Sequence, residues 1–153
     1  MALKEGKRTD ARGFGCSPMK AEKGEPCYPS DRQPSIRIIM MPRDTNPLGT
    51  IFGPVILSHI DLSAAIEGHR YHPGRLVTVA MDQVVFKQPV FVGDLGSFFT
   101  DTVRRGTTSV TVKVSVWAKR HCTSQEFVYV TEALETMVAV DDQFRKVAIR
   151  KRS

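Results

Sequence analysis

Residues 44–66 read DTNPLGTIFGPVILSHIDLSAAI. The first part is rich in Asn, Pro and Gly and reads as a loop. The second part reads as a helix starting near Pro54, since proline is well tolerated at the first helical position, where its missing N–H would have no intrahelical partner. Val55, Ile56, Leu57, Ile60, Leu62, Ala64, Ala65 and Ile66 make this helix apolar almost all round, which predicts burial. One carboxylate, Asp61, sits inside that wrapping, two turns from the start. Its neighbours one turn away are Leu57, Ser58, Ala64 and Ala65, so no i,i+4 cation neutralises it. A lone buried charge is costly, and Asp61 must therefore be solvated, paired from another element or used chemically.

Strand patterns flank this helix. SIRIIMMP at 35–42 reads as a first strand ended by Pro42, and HRYHPGR closes the helix at about Tyr71, with Pro73-Gly74 as the breaker. Residues 76–86 read as a Val-rich strand interrupted by Pro89, with a turn at Val92-Gly93-Asp94. Residues 96–103 follow as another strand, then a tight connection at Arg104-Arg105-Gly106. In Ser109–Lys119 the alternation is clean: Val110, Val112, Val114 and Val116 point one way, and Ser109, Thr111, Lys113, Ser115 and Trp117 the other. Phe127–Val140 is a last long strand, ended by Asp141-Asp142.

The order strand, helix, four strands predicts an α+β domain in which one long helix covers the apolar face of a four-strand antiparallel meander. The domain spans residues 34–143, preceded by a basic, mobile arm over 1–33 and followed by a basic tail over 144–153. The second sheet face, assigned Phe98, Trp117, Phe127 and Tyr129, is more than one helix can cover, so the chain is expected to associate at least as a dimer.

Composition narrows the function classes. A chain of 153 residues can build a proper core. No apolar run approaches the roughly 20 residues of a membrane span. The first thirty residues lack the apolar core of a secretory signal. Cys16, Cys27 and Cys122 are odd in number and fit no zinc spacing, which points to a reducing, cytoplasmic setting and no metal. The net charge of +6 suits a polyanionic small ligand, and without a basic stripe interleaved with aromatics a nucleic-acid partner is not expected.

Gly53 opens the helix, where backbone N–H groups and the positive dipole end are free to polarise a carbonyl oxygen; glycine permits close approach and Pro54 has no N–H to give. Gly53 and Asp61 are eight residues apart, roughly 12 Å along one helix, so one carbonyl cannot touch both. If both act on one substrate, they come from two subunits with antiparallel helices. Asn46 could orient a water or carbonyl through its amide, or simply close a turn before Pro47. Ser58 and His59 point about 100° apart and form no nucleophile–base pair. His69 and His72 lack a third ligand. Arg104, Arg105, Gly106, Thr107, Thr108 and Ser109 offer guanidinium groups, N–H groups and hydroxyls suited to phosphate, and Lys119 and Arg120 could add positive field.

Five segments in order, MPRDTNPLGTIFG, HIDLSAA, LVTVAMDQVVFKQPVFVGD, RRGTTSVTVKVSVWAKR and TEALETMVAVD, resemble the hotdog-fold acyl-CoA thioesterases, in particular the short bacterial acyl-CoA hydrolases and their cytosolic animal relatives. The resemblance covers about residues 35–142. It implies a long helix wrapped by a curved antiparallel sheet of about five strands, sheets paired edge to edge in a homodimer, and commonly a hexamer, a trimer of dimers. It implies hydrolysis of fatty acyl-CoA to free acid and CoA, with no cofactor, coenzyme A being part of the substrate. Asp61 would act as general base or nucleophile, Gly53 of the partner subunit would polarise the carbonyl, and Asn46 would help position water or substrate. The Gly106-Thr107-Thr108-Ser109 turn and the basic residues near it would receive the CoA phosphates. Relatives usually have two glycines where this chain has Gly53-Pro54, and Asn or Asp at Thr50. These departures leave an alternative: an acyl-CoA-binding sensor or structural protein that kept the fold without the catalysis.

Overall fold

The computed structural model describes residues 26–82 and 84–149. Its elements are β1 (Ile36–Ile39), a short 3-10 turn at Pro42–Asp44, α1 (Gly53–Gly68), β2 (Arg75–Asp82), β3 (Leu95–Arg105), β4 (Ser109–Lys119) and β5 (Phe127–Val140). The five strands form one antiparallel sheet in the order β1-β3-β4-β5-β2, with α1 against its inner face.

β4 follows its alternation. Val110, Val112, Val114 and Val116 are all inside, packed with Ile56, Ile60 and Ala64 of α1. Burying side chains such as Ile56 and Ile60 contributes roughly 1.5–3 kcal/mol each. Pro54 falls in the first turn of α1, as its chemistry requires. The helix stops at Gly68, three residues before the expected Tyr71. A Cβ at Gly68 would lie 2.7 Å from Leu76 Cδ1, so this end of the helix packs closely on β2 and a larger residue would have to push the Leu76 side chain aside. Beyond it the Tyr71 N–H donates to the Gly68 carbonyl, an i,i+3 bond that turns the chain out of the helix.

Two expectations are corrected. The four later strands do not make one meander: β3-β4-β5 do, but β2 pairs with β5, not β3. The segment after β2 instead crosses the helix entrance, where the Ile51 N–H donates to the Val90 carbonyl and the Lys87 N–H to the Val130 carbonyl. Phe98 belongs to the inner face, fully buried and stacked on His59, with ring centroids 5.5 Å apart. Its neighbour Phe99 joins Trp117 on the outer face, because successive strand residues point to opposite sides.

Two features fix the edges of this frame. Asp94 is fully buried and takes hydrogen bonds from the N–H groups of Phe91 and His121 and a 2.5 Å ion pair from Arg120. That locks the turn before β3 to the end of β4. Tyr28 stacks on Phe127 at 3.9 Å and meets Phe99 and Trp117 edge-on, while Arg32 pairs with Asp101. Residues 26–33 therefore lie on the outer aromatic face; the rest of the segment read as an arm, residues 1–25, lies outside the described residues. In the C-terminal segment, Lys146 bridges to Val140 and Ile149 is buried, its N–H donating to the Thr107 carbonyl; residues 150–153 lie outside the described residues. No helix among the described residues is long and apolar enough to cross a membrane.

Candidate active site

Asp61 is half-buried in the middle of α1, facing the strand that pairs with β5. Its Oδ1 accepts a 2.5 Å hydrogen bond from the hydroxyl of Thr78 on β2. A bulge makes this possible: the β2–β5 register slips between Thr78 and Ala80, leaving Val79 unpaired. An extra residue in one strand re-aims its side chains, and here it keeps both Thr78 and Met81 on the inner side.

A second carboxyl group stands behind the first, one the sequence reading did not single out. Glu135 of β5 is completely buried, and its Oε1 lies 2.9 Å from the same Thr78 hydroxyl. Burial, then a hydrogen bond with Asp61, push its carboxyl up to about 8, while the Thr78 hydroxyl partly offsets them. A signal for Glu135 exists in the strand pattern. Ala133, Met137 and Ala139 share its parity on β5 and lie in the core, so position 135 is an acid on an apolar row.

Gly53 is the first residue of α1, and its N–H has no hydrogen-bond partner among the described residues. Beside it lies a cavity of about 330 Å³ walled by Ile51, Ile56, Phe86, Pro89 and Val90. Asp61 does not line this cavity, as the spacing along one helix requires. Asn46 closes the preceding loop. Its Oδ1 accepts from the N–H groups of Leu48 and Thr50, and its Nδ2 donates to Thr50 Oγ1 at 2.8 Å. Thr50 is thus the partner that holds Asn46, and one Nδ2 hydrogen of Asn46 remains for other work.

The residues expected to receive phosphates fall into two groups. Arg104 and Arg105 end β3, and Gly106, Thr107 and Thr108 turn into Ser109, with the Gly106 N–H donating to the Ser109 carbonyl at 2.8 Å. Arg105 lies over the Tyr71 ring at 5.1 Å, past the C-terminal end of α1. Lys119 and Arg120 lie at the other end of β4, ten residues and roughly 33 Å from Ser109. The two groups do not converge within a protomer. Arg120 is also committed to Asp94 and the Pro89 carbonyl, and Lys119 lies over the Phe127 ring. His59 Nδ1 lies 2.8 Å from the Val55 carbonyl, turned away from Asp61.

Comparison with known proteins agrees with this architecture. Residues 48–123 match the model of the Thioesterase superfamily. The chain is 37% identical over 116 residues to the acyl-CoA thioester hydrolase YciA of Escherichia coli, covering 74% of this chain and 88% of that protein. Its fold is similar to a hexameric hotdog fold thioesterase of Campylobacter jejuni, with TM-score 0.74, 44% identity, and coverage of 79% of this chain and 92% of that one. It is also similar to an acyl-CoA hydrolase of Staphylococcus aureus solved with butyryl coenzyme A, with TM-score 0.67, 26% identity, and coverage of 74% and 69%.

Proposed function

The chain belongs to the thioesterase superfamily, and from that premise we propose that it hydrolyses fatty acyl-CoA to free acid and CoA at a site shared by two subunits. The observation that carries the reading is the half-buried Asp61 carboxylate, set in an apolar helix and held by Thr78, on the same helix as the Gly53 amide, which has no hydrogen-bond partner among the described residues. Thr50 and Pro54 leave these groups in place: Thr50 secures Asn46, and Pro54 occupies the first turn without removing the Gly53 N–H.

Asp61 takes a proton from water, or itself attacks, at the thioester carbonyl. The developing oxyanion lies against the Gly53 N–H of a second, antiparallel copy, where a fixed backbone donor stabilises charge that appears only in the transition state. The C–S bond then breaks and the CoA thiolate leaves with a proton; where Asp61 itself attacks, water then opens the acyl anhydride on Asp61, releasing the acid and restoring the carboxylate. Asn46 of the entrance loop contributes its remaining amide hydrogen to water or substrate. Arg104, Arg105 and the 106–109 turn hold the CoA phosphates, with Lys119 contributing only from another copy. Coenzyme A takes part as substrate, and the reaction calls for no separate cofactor.

The working unit is at least a homodimer, and the hexameric relatives support a trimer of dimers. The free thiols Cys27 and Cys122 suit a reducing, cytoplasmic setting. Thiol release over a panel of acyl-CoA chain lengths tests this reading. Asp61→Asn and Asp61→Ala are expected to lose about 10²- to 10⁴-fold in turnover, the range of a removed acid–base group. Normal turnover by Asp61→Ala overturns the assignment, and tight acyl-CoA binding by the wild-type protein without thiol release favours the sensor alternative.

A further inference from the structure

Around Asp61 there are more acceptors than hydrogens. Thr78 Oγ1 lies 2.5 Å from Asp61 Oδ1 and 2.9 Å from Glu135 Oε1, yet a hydroxyl has one hydrogen to give. Glu135 Oε2 is buried with no hydrogen-bond partner among the described residues. Across from Glu135 stand Met81 on β2 and Val112 on β4, neither of which can donate. Asp61 on α1 is the charged group acting on it, and Thr78 on β2 the polar one. Two ionised carboxylates competing for one hydroxyl, with no ion pair to either among the described residues, would leave one buried charge unsatisfied. A second hydrogen removes the conflict. Its natural seat is the fully buried acid, since Asp61 has partial access to water.

We propose that Glu135 is a positioning residue that holds a proton and donates it into the Thr78–Asp61 pair, fixing the Asp61 carboxylate for attack on the thioester. Fully buried, it acts through Thr78 and Asp61. When Glu135 ionises, it becomes a rival acceptor for the Thr78 hydrogen and a like charge beside Asp61, and the alignment is lost. The folded-state value of about 8, set by burial and by Asp61, places that loss just above neutral pH. This role rests on the proposed hydrolysis by Asp61.

The test is the pH profile of kcat for wild-type protein and Glu135→Gln, with an uncatalysed blank at each pH. Gln has nearly the same shape and keeps a donor, but cannot ionise. Wild-type kcat is expected to fall with a midpoint near pH 8, about tenfold per pH unit beyond it. Glu135→Gln is expected to match the wild type within about twofold at pH 6.5, because a hydrogen-bond donor remains, and to stay level through pH 9. A purely structural Glu135 would leave the two profiles parallel, and that result overturns the proposal. So does a carboxyl ¹³C titration placing Glu135 in the ordinary carboxylate range. A wild-type protein without hydrolysis at any pH overturns the proposed function itself, and this role with it.

Discussion

Gly53 and Asp61 share one uninterrupted helix, eight residues and roughly 12 Å apart, so they cannot meet on one thioester within a protomer. A complementation experiment follows. Gly53→Pro deletes the N–H while suiting the first helical position, and Phe52 before it already has the extended backbone that precedes proline. A Cβ there would meet only the Phe86 ring at 3.8 Å, ordinary contact. Gly53→Pro and Asp61→Asn should each be nearly inactive alone. Refolded together in equal amounts, they should recover about a quarter of wild-type activity, since half the dimers are mixed and each holds one intact site. No recovery in verified mixed dimers would show that the two residues do not act together across the interface, and would overturn the shared site.

Removing the Thr78 hydroxyl leaves the Asp61 carboxylate without the donor that aims it. A hydrogen bond to a charged group contributes about 1.5–3 kcal/mol, so Thr78→Val should lower kcat by about 10- to 100-fold. KM for acyl-CoA should change little, because Thr78 faces Asp61 and Glu135. Steady-state kinetics separate the two parameters.

Arg120 serves the fold. Asp94 is fully buried, and Arg120→Ala would strand its charge beside the turn that starts β3. Breaking a buried pair by removing one partner costs about 3–5 kcal/mol. The loss should appear in urea unfolding. Protein that remains folded should bind acyl-CoA with near-normal affinity.

Arg104 should behave differently. It ends β3 beside the 106–109 turn and is exposed. Arg104→Ala is expected to raise KM by about 3- to 10-fold with kcat unchanged, the mark of uniform binding lost. The difference should shrink in 0.5 M salt, where exposed charges are screened.

Glu135 also makes stability depend on pH. Its carboxyl rises from an ordinary 4.5 to about 8 on folding. Between those values the folded protein keeps a proton that the unfolded chain has released, so raising the pH favours unfolding. Stability should decline from about pH 5 to pH 8, followed by Trp117 fluorescence in urea, and Glu135→Gln should remove that part of the slope.

Much of the frame was readable from residue order. The valines of β4, the proline in the first turn of α1 and the isolated Asp61 each announce their setting through local spacing. What stayed hidden depends on partners distant in the chain. Nothing local says that β2 crosses to β5, that Phe98 and not Phe99 faces the helix, or that Arg120 is claimed by Asp94. For Glu135 the apolar row of Ala133, Met137 and Ala139 hints at burial, but a strand glutamate usually faces water, and only the fold brings its carboxyl to the Thr78 hydroxyl.

The sheet order also dictates when the catalytic machinery can come together. The helix bearing Asp61 and the strand bearing Thr78 are synthesised early, but β2 stays an orphan until β5, the last strand, has left the ribosome. Such long-range pairing is slow, because the chain must close a large loop before any contact repays it. On the proposed mechanism, a polypeptide that ends before β5 lacks the strand that holds β2 in place, and thioester cleavage is expected only after β5 has been made.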